Sequence, residues 1–238
     1  MRNAIIIGVG PDRGLGAQLC KRFATEGLKV LAAGRTQSAL EAVVVGIKAA
    51  GGEAEAVVAD ATREADIVSL FDRAGDGLEL AIYNAGNNTP GRIADMEASY
   101  FENAWRTGCF GGFLFGREAV RRMLKSGGGT LLFTGASASL RGRSNFGAFN
   151  SAKAGLRTLA QAMAKEYGPD GIHVGHVVVD GGIGGEKLSR RLNDFSSRLD
   201  QGQLIEIEGI VDAFAFLHKQ KRTAWSFEVD VRTSKETW

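Results

Sequence analysis

The stretch that decides the fold prediction is Ala4-Ile5-Ile6-Ile7-Gly8-Val9-Gly10-Pro11-Asp12-Arg13-Gly14-Leu15-Gly16. Its first four residues form an apolar, β-branched run that is typical of a buried strand. A glycine-rich segment follows, and Leu15, Leu19 and Phe23 then recur at helical spacing within a pattern that ends near residue 26. The stretch therefore predicts a strand, a tight glycine-rich turn and a helix in direct succession.

A turn of this form suits a dinucleotide. Its glycines let the backbone bend tightly and approach a pyrophosphate closely. The following helix presents unpaired N–H groups and the positive end of its dipole to the phosphates. The alternative is an ordinary strand-to-helix turn that binds nothing, because a glycine pattern alone is weak evidence for a ligand.

The rest of the chain alternates between strand and helix patterns. Further strands are predicted at residues 29–33, 54–59, 78–83, 130–134 and 174–179, and helices at residues 37–50, 63–74, 99–125 and 146–167. A last strand of alternating polarity is predicted at residues 225–231, near the edge of the sheet. This order predicts a single α/β domain over residues 1–238, with a parallel sheet covered by helices on both faces.

Two segments of this pattern have unusual composition. The predicted helix around residues 101–123 contains four glycines, each of which costs about 1 kcal/mol in a helix interior, so we expect close packing there. Residues 184–203 form an amphipathic segment after a glycine-rich stem. That segment is either a small lid over a site or ordinary surface packing.

Composition and charge exclude several classes of function. The 238 residues carry a net charge of +2, which gives no electrostatic case for a nucleic-acid or membrane partner. No apolar run reaches the roughly 18 residues of a membrane helix, and the early first strand leads us to expect no signal peptide. Cys20 and Cys109 have no CxxC or metal-ligand spacing, so we expect reduced thiols and a cytoplasmic protein.

The three histidines predict no metal site. His173 and His176 lie three residues apart on one predicted strand, so their side chains should face opposite sides of the sheet. His218 belongs to a late helix, where we expect it on the surface.

Several motifs, in their order and spacing, resemble those of the short-chain dehydrogenase/reductase family over nearly the whole chain. Residues 10–16 resemble the family's GxxxGxG cofactor turn, and Asp60 resembles the aspartate that contacts the adenine ring. Asn84-Ala85-Gly86 resembles its NAG motif, and Lys153 lies where the family has the lysine of YxxxK. The resemblance implies a three-layer, doubly wound Rossmann fold of about seven parallel strands. The cofactor-binding residues expected from these motifs are Gly10, Asp12, Arg13, Leu15, Arg35, Asp60, Ala61, Asn84, Ala85, Gly86, Lys153, Gly181 and Ile183.

The end of the second predicted strand bears on the choice of cofactor. A carboxylate there would bind a ribose 2′-hydroxyl and repel a 2′-phosphate, but this chain has Gly34 followed by Arg35. Arg13 lies in the glycine turn, and arginine pairs with phosphate in a bidentate manner. We therefore predict NADP(H) rather than NAD(H). The alternative is that both arginines are solvated surface residues.

The resemblance fails at the residues that carry the family's chemistry. The family tyrosine, four residues before the lysine, acts as the acid or base toward the substrate oxygen, and that position is Phe149. Enoyl reductases of the superfamily have a tyrosine seven residues before the lysine, and that position is Phe146. Because a phenyl ring neither donates nor accepts a proton, we predict a site without the family's phenol.

Other family positions are altered as well. The family serine corresponds to Ala136, the helix asparagine to Gly108, and the proline of the Pro-Gly after the sixth strand to Asp180. Ser137 is adjacent to Ala136 and offers a shifted hydroxyl. Residues 135–139 lack the last glycine of a nucleophile elbow, and no partner histidine is evident for their serines.

These observations leave two main hypotheses for function. The first is an NADP-dependent oxidoreductase with Lys153 and Ser137 as catalytic residues, in which Ser137, water or solvent supplies the proton. Its substrate would be a small, partly apolar molecule in a pocket that includes Asn87, Phe146 and Phe149. The second hypothesis is a catalytically inactive NADPH-binding scaffold or sensor, and a vestigial cofactor site is a third, weaker interpretation. The resemblance implies a homodimer or homotetramer formed through the two long helices on either side of the fifth strand.

Overall fold

Seven parallel strands form one sheet in the part of the chain that the structure, a computed structural model, describes: residues 2–86 and 88–236. In chain order the strands are β1 (Asn3–Ile7), β2 (Lys29–Gly34), β3 (Ala54–Val58), β4 (Leu78–Tyr83), β5 (Gly129–Ala136), β6 (Ile172–Val179) and β7 (Glu228–Val231). The helices are α1 (Leu15–Thr25), α2 (Gln37–Ala49), α3 (Glu64–Ala74), α4 (Ala98–Trp105), α5 (Gly111–Ser126), α6 (Gly147–Tyr167), α7 (Glu186–Ser189), α8 (Phe195–Asp200) and α9 (Ile207–Lys219).

The order of the strands creates a crevice at the middle of the sheet. The sheet runs β3-β2-β1-β4-β5-β6-β7, and every pairing is parallel. The chain moves outward from β1 to β3 and then returns to the other side of β1 to begin β4. In such sheets the loops after the two central strands diverge, and ligands bind between them. The predicted doubly wound α/β fold is therefore confirmed, and it directs attention to the loops after β1 and β4.

Helices cover both faces of the sheet because β1 is apolar on both sides. Ile5 and Ile7 pack with α3, α5 and α6, whereas Ala4 and Ile6 pack with α1, α2 and α9. All four side chains are buried. Burial of an isoleucine side chain contributes about 1.5–3 kcal/mol, so β1 is firmly held in the core. The glycine turn thus begins from a rigid support.

The helix predicted over residues 99–125 is not continuous. A π-helical turn at Arg106–Phe110 separates α4 from α5. Its glycine packs as expected, because a Cβ at residue 108 would lie 2.7 Å from the Cβ of Ala152 on α6. π-helical turns of this kind often occur at functional sites, and this one lets the segment approach α6 closely.

The edge strand β7 begins later than predicted, at Glu228 rather than near residue 225, and it pairs with β6. Trp225 instead lies in an irregular segment, where its indole stacks on the imidazole of His173 with 4.8 Å between the ring centroids. The alternating pattern at residues 225–227 therefore reflects packing against β6 before the strand begins, and the Phe227 oxygen accepts the His176 N–H at 2.7 Å.

The amphipathic segment at residues 184–203 forms the two short helices α7 and α8. Leu188 and Leu199 are half-buried, and their side chains would lie within 3.2 Å of a Cβ placed at residues 182 and 184 of the stem. The stem is also fixed by backbone hydrogen bonds of 2.8 Å to Ile205, one from the Gly184 N–H and one to the oxygen of residue 182. The apolar stripe of the segment thus packs inward on a stem that is held at its base.

Neither a membrane helix nor a disulfide occurs within the described ranges. No helix in residues 2–86 and 88–236 combines the length and the apolar character needed to cross a membrane. Cys20 and Cys109 are both buried free thiols. Free thiols agree with the reduced state predicted from the cysteine spacing.

The expectation that His218 lies on the surface is wrong. Its side chain is only 9% exposed, and its Nε2 lies 3.2 Å from a carboxylate oxygen of Glu79. The imidazole also packs edge-on against Phe23, with 5.6 Å between the ring centroids. The cause is the packing of α9 on α1, which buries the face of α9 that carries His218. The sequence pattern does not indicate that this face is covered.

Candidate functional site

The glycine turn after β1 is tightly packed on one side and open on the other. A Cβ at residue 16 would lie 2.7 Å from the Gly8 oxygen, and one at residue 8 would lie 2.5 Å from the carbonyl carbon of Asn84. Gly8 also has φ +89°, in the left-handed region that favours glycine. At Gly10, by contrast, a Cβ would meet nothing within 4 Å. Gly8 and Gly16 are therefore required for packing, whereas Gly10 leaves room for a ligand.

The Asn84 side chain hydrogen-bonds to the ends of two neighbouring strands at the crevice. Its Nδ2 donates to the Gly8 oxygen at 3.2 Å, and its Oδ1 accepts from the Thr134 hydroxyl at 2.9 Å. Ala85 is half-buried against the core, and Gly86 is exposed. The first residue of this motif therefore has a structural role at the carboxyl ends of β1, β4 and β5, and the last is accessible.

The N-terminus of α1 is suited to an anion. The helix begins at Leu15, which is buried, with Gly14 as its N-cap and no acidic residue in its first turn. The carboxylate of Asp12 is paired with Lys21 at 2.7 Å. A phosphate at this position would meet backbone N–H groups and the positive end of the helix dipole.

Arg13 and Arg35 supply positive charge near the ends of β1 and β2. Both arginines are exposed. Gly34, which precedes Arg35, leaves no space for a side chain, because a Cβ there would overlap the backbone oxygen of Val9. The carboxylate that would repel a ribose phosphate is thus absent from residue 34, and its place is closed by packing.

Asp60 follows β3 and is held in one orientation. Its Oδ1 accepts hydrogen bonds of 2.8 Å from both the backbone N–H and the hydroxyl of Thr62. Burial alone would raise the pKa of Asp60, but the Thr62 hydrogen bonds and the charges of Arg35 and Arg63 hold it below the usual value. The next residue, Ala61, is buried. Asp60 is thus an ionised acceptor that directly follows β3 at the edge of the sheet where the strands end.

Lys153 is the predicted catalytic residue that the structure brings to the cofactor motifs. It lies on α6 with 5% exposure, and its Nζ donates to the Thr134 backbone oxygen at 2.7 Å. A Cβ at residue 86 would lie 3.4 Å from the same Nζ. Burial lowers the pKa of Lys153 to about 8. The lysine therefore joins the end of β5 to the loop after β4.

The residues expected to line the substrate pocket present aromatic rings without hydroxyls. Phe149 lies one helical turn before Lys153, and the lysine Nζ is 5.9 Å from the centre of its ring. The ring of Phe146 lies 5.3 Å from the guanidinium carbon of Arg143. Both phenylalanines are half-buried. Asn87, the third residue of this predicted pocket, lies outside the described residues.

The three tyrosines of the chain are engaged elsewhere. Tyr83 is buried, and its hydroxyl donates to a backbone oxygen in the π-helical turn. The Tyr100 hydroxyl donates to a backbone oxygen in the loop after β4 at 3.1 Å. Tyr167 ends α6, about 21 Å along the helix from Lys153 at 1.5 Å per residue. Lys153 therefore has a phenyl ring where the family resemblance expects a phenol.

The serines after β5 differ in their surroundings. Ser137, the predicted catalytic hydroxyl, is half-buried, and its carbonyl oxygen accepts the N–H groups of Leu140 and Arg141. Ser139 is buried, and its Oγ accepts the Ala136 N–H at 3.2 Å. Ser137 thus remains a candidate for the catalytic hydroxyl because of its position after β5. The Ser139 side chain, by contrast, is held by a specific hydrogen bond.

Sequence reasoning missed a serine–histidine–glutamate chain across β5, β6 and β7. The Ser139 Oγ lies 3.4 Å from His176 Nε2, and His176 Nδ1 lies 2.9 Å from the Glu228 Oε2. The expectation that these serines have no partner histidine is therefore wrong for Ser139. The available signal was a second histidine, His176, within the apolar run Val174-Gly175-His176-Val177-Val178 of β6. Such a polar residue needs a partner when it is buried.

Asp180, which stands in place of a proline, is a buried carboxylate that is already paired. The Nη2 of Arg141 donates to its two oxygens at 2.9 and 3.0 Å, and Arg232 lies 3.8 Å away. Two positive charges compensate this carboxylate where β6 ends. Asp180 therefore fixes the segment that leaves the sheet.

The segment after β6 reaches back to the glycine turn. Gly181 and Ile183 are half-buried, and Ile183 forms a parallel bridge with Ile205. The Glu186 N–H donates to the backbone oxygen of Arg13 at 3.1 Å. Predicted cofactor residues from both ends of the chain are thus brought to one crevice.

Comparison with known proteins gives the same pattern. A family model described as short chain dehydrogenase matches residues 3–189. The chain is 32% identical over 185 residues to an uncharacterized oxidoreductase, YuxG, of Bacillus subtilis, and 30% identical over 185 residues to trihydroxynaphthalene reductase PfmaI of Pestalotiopsis fici. These matches cover 75% and 76% of this chain, but 27% and 64% of the two relatives.

A solved structure extends the likeness to the whole fold. The crystal structure of a short-chain dehydrogenase from Rhodopseudomonas palustris is 35% identical, with a TM-score of 0.81. The superposition covers 98% of this chain and 99% of that one. Together with the family match over the glycine turn, Asn84 and Lys153, this likeness shows that the chain belongs to the short-chain dehydrogenase family.

Proposed function

We propose that the protein is an NADP(H)-dependent oxidoreductase that transfers a hydride between its cofactor and a partly apolar small molecule. The observation that carries this proposal is the position of Lys153, whose amino group lies at the end of β5 and beside Gly86. A lysine at this point can hold the nicotinamide ribose, as the resemblance to the family implies.

The residues of the crevice fit a nicotinamide dinucleotide. Gly10 has open space beside its backbone, and the first turn of α1 has no carboxylate to repel a pyrophosphate. Asn84 holds the loops after β1 and β4 in place. When bound, such a cofactor supplies or accepts the hydride, and the protein's residues bind and orient it.

The preference for a phosphorylated ribose rests on charge. Arg13 and Arg35 are exposed at the crevice, and Gly34 occupies the place of the carboxylate that would select NAD(H). A 2′-phosphate would gain charge-assisted hydrogen bonds from the two guanidinium groups. We expect NADPH to bind at least about tenfold more tightly than NADH, a difference of about 1.4 kcal/mol.

The proton must come from a group other than Phe149. Ser137 is half-buried beside Ala136 and offers a hydroxyl one residue from the family's position. Reduction of an activated C=C bond, with the proton supplied by water, places no demand on a phenol. Phe146 and Phe149 favour an apolar or aromatic substrate, which agrees with the trihydroxynaphthalene named for the P. fici relative.

The first experiment measures cofactor binding and turnover separately. NADPH and NADH are titrated into the wild-type protein and the Lys153→Ala variant, and both proteins are assayed on panels of ketones and enones. We expect tighter binding of NADPH and turnover that falls at least about 100-fold in the variant. Tighter binding of NADH would contradict the cofactor assignment, and equal turnover in both proteins would contradict the role of Lys153.

The second candidate is an NADPH-binding scaffold or sensor without catalysis. Its support is the combined replacement of the family's tyrosine, serine and asparagine by Phe149, Ala136 and Gly108. This candidate predicts NADPH binding, no turnover on either panel, and a change in partner or oligomeric state when the cofactor binds. Turnover that depends on NADPH would remove it.

We propose a homodimer or homotetramer through the long helical segments on either side of β5, which are α4–α5 and α6. The support is three large apolar side chains on the first segment, Phe101, Trp105 and Phe113, with 43%, 40% and 36% exposure. Burying such side chains between subunits is favourable. Light scattering after size exclusion tests this: a monomer at micromolar concentration would contradict it.

We place the protein in the cytoplasm. The support is the pair of buried free thiols, which a reducing compartment preserves.

We assign residues 184–203 the role of a lid. The support is the hydrogen bond from the Glu186 N–H to the backbone oxygen of Arg13, which links the segment to the glycine turn. Protection of the segment from proteolysis by NADPH would test the lid.

A further inference from the structure

A small cavity of about 280 Å³ lies beside the turn that follows β5. Its lining includes the polar residues Ser139, Arg141 and Asn150 and the apolar residues Ala138 and Ala154. The Oδ1 of Asn150 is buried and has no hydrogen-bond partner in the described part of the chain. The cavity is therefore small and lined by both polar and apolar residues.

The side chain of Ser139 is connected to a histidine and a carboxylate in the order needed to activate a hydroxyl. Glu228 Oε2 lies 2.9 Å from His176 Nδ1, and Arg157 binds both Glu228 oxygens at 2.6 and 2.8 Å. Burial alone would raise the pKa of Glu228, but the Arg157 hydrogen bonds and the contact with His176 hold it below the usual value. An ionised Glu228 requires the hydrogen of His176 on Nδ1, so Nε2 faces Ser139 as an acceptor.

The packing around His176 is specific for this arrangement. A side chain at residue 135 would overlap the His176 ring, so Gly135 makes room for the ring between β5 and β6. The ring is completely buried, which lowers its pKa to about 4 and keeps it neutral near pH 7. The Ser139 Oγ lies 3.4 Å from Nε2, a contact that can shorten when a substrate binds.

We propose that Ser139 is a nucleophile, with His176 as its general base and Glu228 as the residue that orients the base, and that the adjoining cavity admits small neutral carboxylic esters. Neutral substrates are favoured because the charge of Arg141 is paired with Asp180, and Ser139 and Asn150 carry no charge. Short acyl groups are favoured because the cavity volume is small. This activity uses no cofactor, and so it does not depend on the proposed oxidoreductase function.

The reaction proceeds by acyl transfer to the serine. The Ser139 oxygen forms a bond to the ester carbonyl carbon while its proton passes to His176 Nε2. The bond to the alcohol oxygen then breaks, and the departing oxygen takes that proton. Water attacks the acyl-serine, its proton passes through His176 to the Ser139 oxygen, and the carboxylic acid is released.

A fluorophosphonate probe tests the nucleophile directly, without cofactor and without knowledge of the natural ester. The wild-type protein, His176→Gln, Glu228→Gln and Ser139→Ala are incubated with the probe, and the modified residue is identified by peptide mass spectrometry. Ser69→Ala is the matched control, since Ser69 is an exposed serine on α3. Thermal melting of each variant identifies any that fail to fold, and Glu228→Gln preserves the size of the side chain.

We expect one adduct on Ser139 in the wild-type protein and in Ser69→Ala. Labelling should be absent in Ser139→Ala and at least about 100-fold slower in His176→Gln, the magnitude expected for loss of a general base. p-Nitrophenyl acetate should release one equivalent of nitrophenolate in a burst that Ser139→Ala lacks. No adduct on Ser139 in folded wild-type protein, or equal labelling of folded Glu228→Gln and His176→Gln at the wild-type rate, would overturn the proposal.

Discussion

The two halves of the crevice, one at the ends of β1 and β4 and the other at the end of β5 and the start of α6, are held by different kinds of contact. Around β1 and β4 the contacts are made largely by backbone, with Gly8 and Gly16 packed so closely that a Cβ would meet main-chain atoms. Around the end of β5 and the start of α6 the side chains determine the character of the crevice. At two of these positions the chain has Ala136 and Phe149.

The difference explains why the family pattern is kept on one side and replaced on the other. A glycine that touches backbone cannot be exchanged without moving a strand or helix, so the fold itself preserves the cofactor turn. A tyrosine hydroxyl at the mouth of the crevice can be removed while the ring keeps its packing. The residues of the glycine turn and those around Phe149 can therefore change independently in this architecture, and substitutions in each half distinguish the two.

The largest effect is expected from restoring the missing hydroxyl. Phe149→Tyr places a phenol one helical turn from Lys153, whose charge lowers the pKa of a nearby phenol. We expect ketone reduction with NADPH to rise about 10²- to 10⁴-fold above the wild-type rate. Phe146→Tyr is the matched control and should give no such rise with ketones. If both variants resemble the wild type, more than the phenol is missing from the catalytic half.

The next effect concerns the buried Lys153. Its pKa of about 8 in the fold, against 10.5 for the ordinary side chain, means that the unfolded chain binds a proton that the folded chain has released between these pH values. Stability should therefore rise with pH through this window, by an amount on the order of 3 kcal/mol for this group.

Urea denaturation at pH 7, 8.5 and 10 measures this contribution. Lys153→Met removes the titration, so its free energy of unfolding should gain less with pH than that of the wild type. Lys165→Met changes an exposed lysine on the same helix and should follow the wild-type curve. Parallel curves for wild type and Lys153→Met would show that the lysine is solvated.

A smaller effect tests the backbone character of the cofactor half. Gly16→Ala should cost about 1–3 kcal/mol of stability, because its Cβ would lie 2.7 Å from the Gly8 oxygen. Gly10→Ala should leave the melting temperature unchanged, since nothing lies within 4 Å of its Cβ, yet it should weaken NADPH binding. Equal melting temperatures for the two variants would break the distinction between packed and open glycines.

The smallest effect is expected from a substitution of Arg35, which follows β2. Arg35→Glu should lower the affinity ratio of NADPH to NADH by about tenfold, or 1.4 kcal/mol, because it removes a phosphate partner and adds a repelling charge. Lys48→Glu makes the same charge change at an exposed site on α2 and should leave the ratio unaltered. Titration calorimetry with both cofactors gives the ratio; an unchanged value for Arg35→Glu would mean that this arginine is only solvated.

The sequence by itself determined the fold class and the places of the glycine turn and Asn84 at the ends of strands. Apolar periodicity predicted the strands and most helices, because burial of one face is a local property of the sequence. Gly51 illustrates the same point: it follows the C-cap of α2 with φ +82°, a conformation that favours glycine. The glycine turn and Asn84 also lie at strand ends, where short-range pattern specifies their position.

Only the tertiary structure decided which side chains meet across the sheet. His176 lies 37 residues from Ser139 and 52 from Glu228, and these three become neighbours because β5, β6 and β7 pair in parallel at one register. The π-helical turn at Arg106–Phe110 likewise depends on how closely α6 approaches. Such contacts arise from strand order and packing, which no local periodicity encodes. The contacts between Ser139, His176 and Glu228 could therefore be identified only in the folded structure.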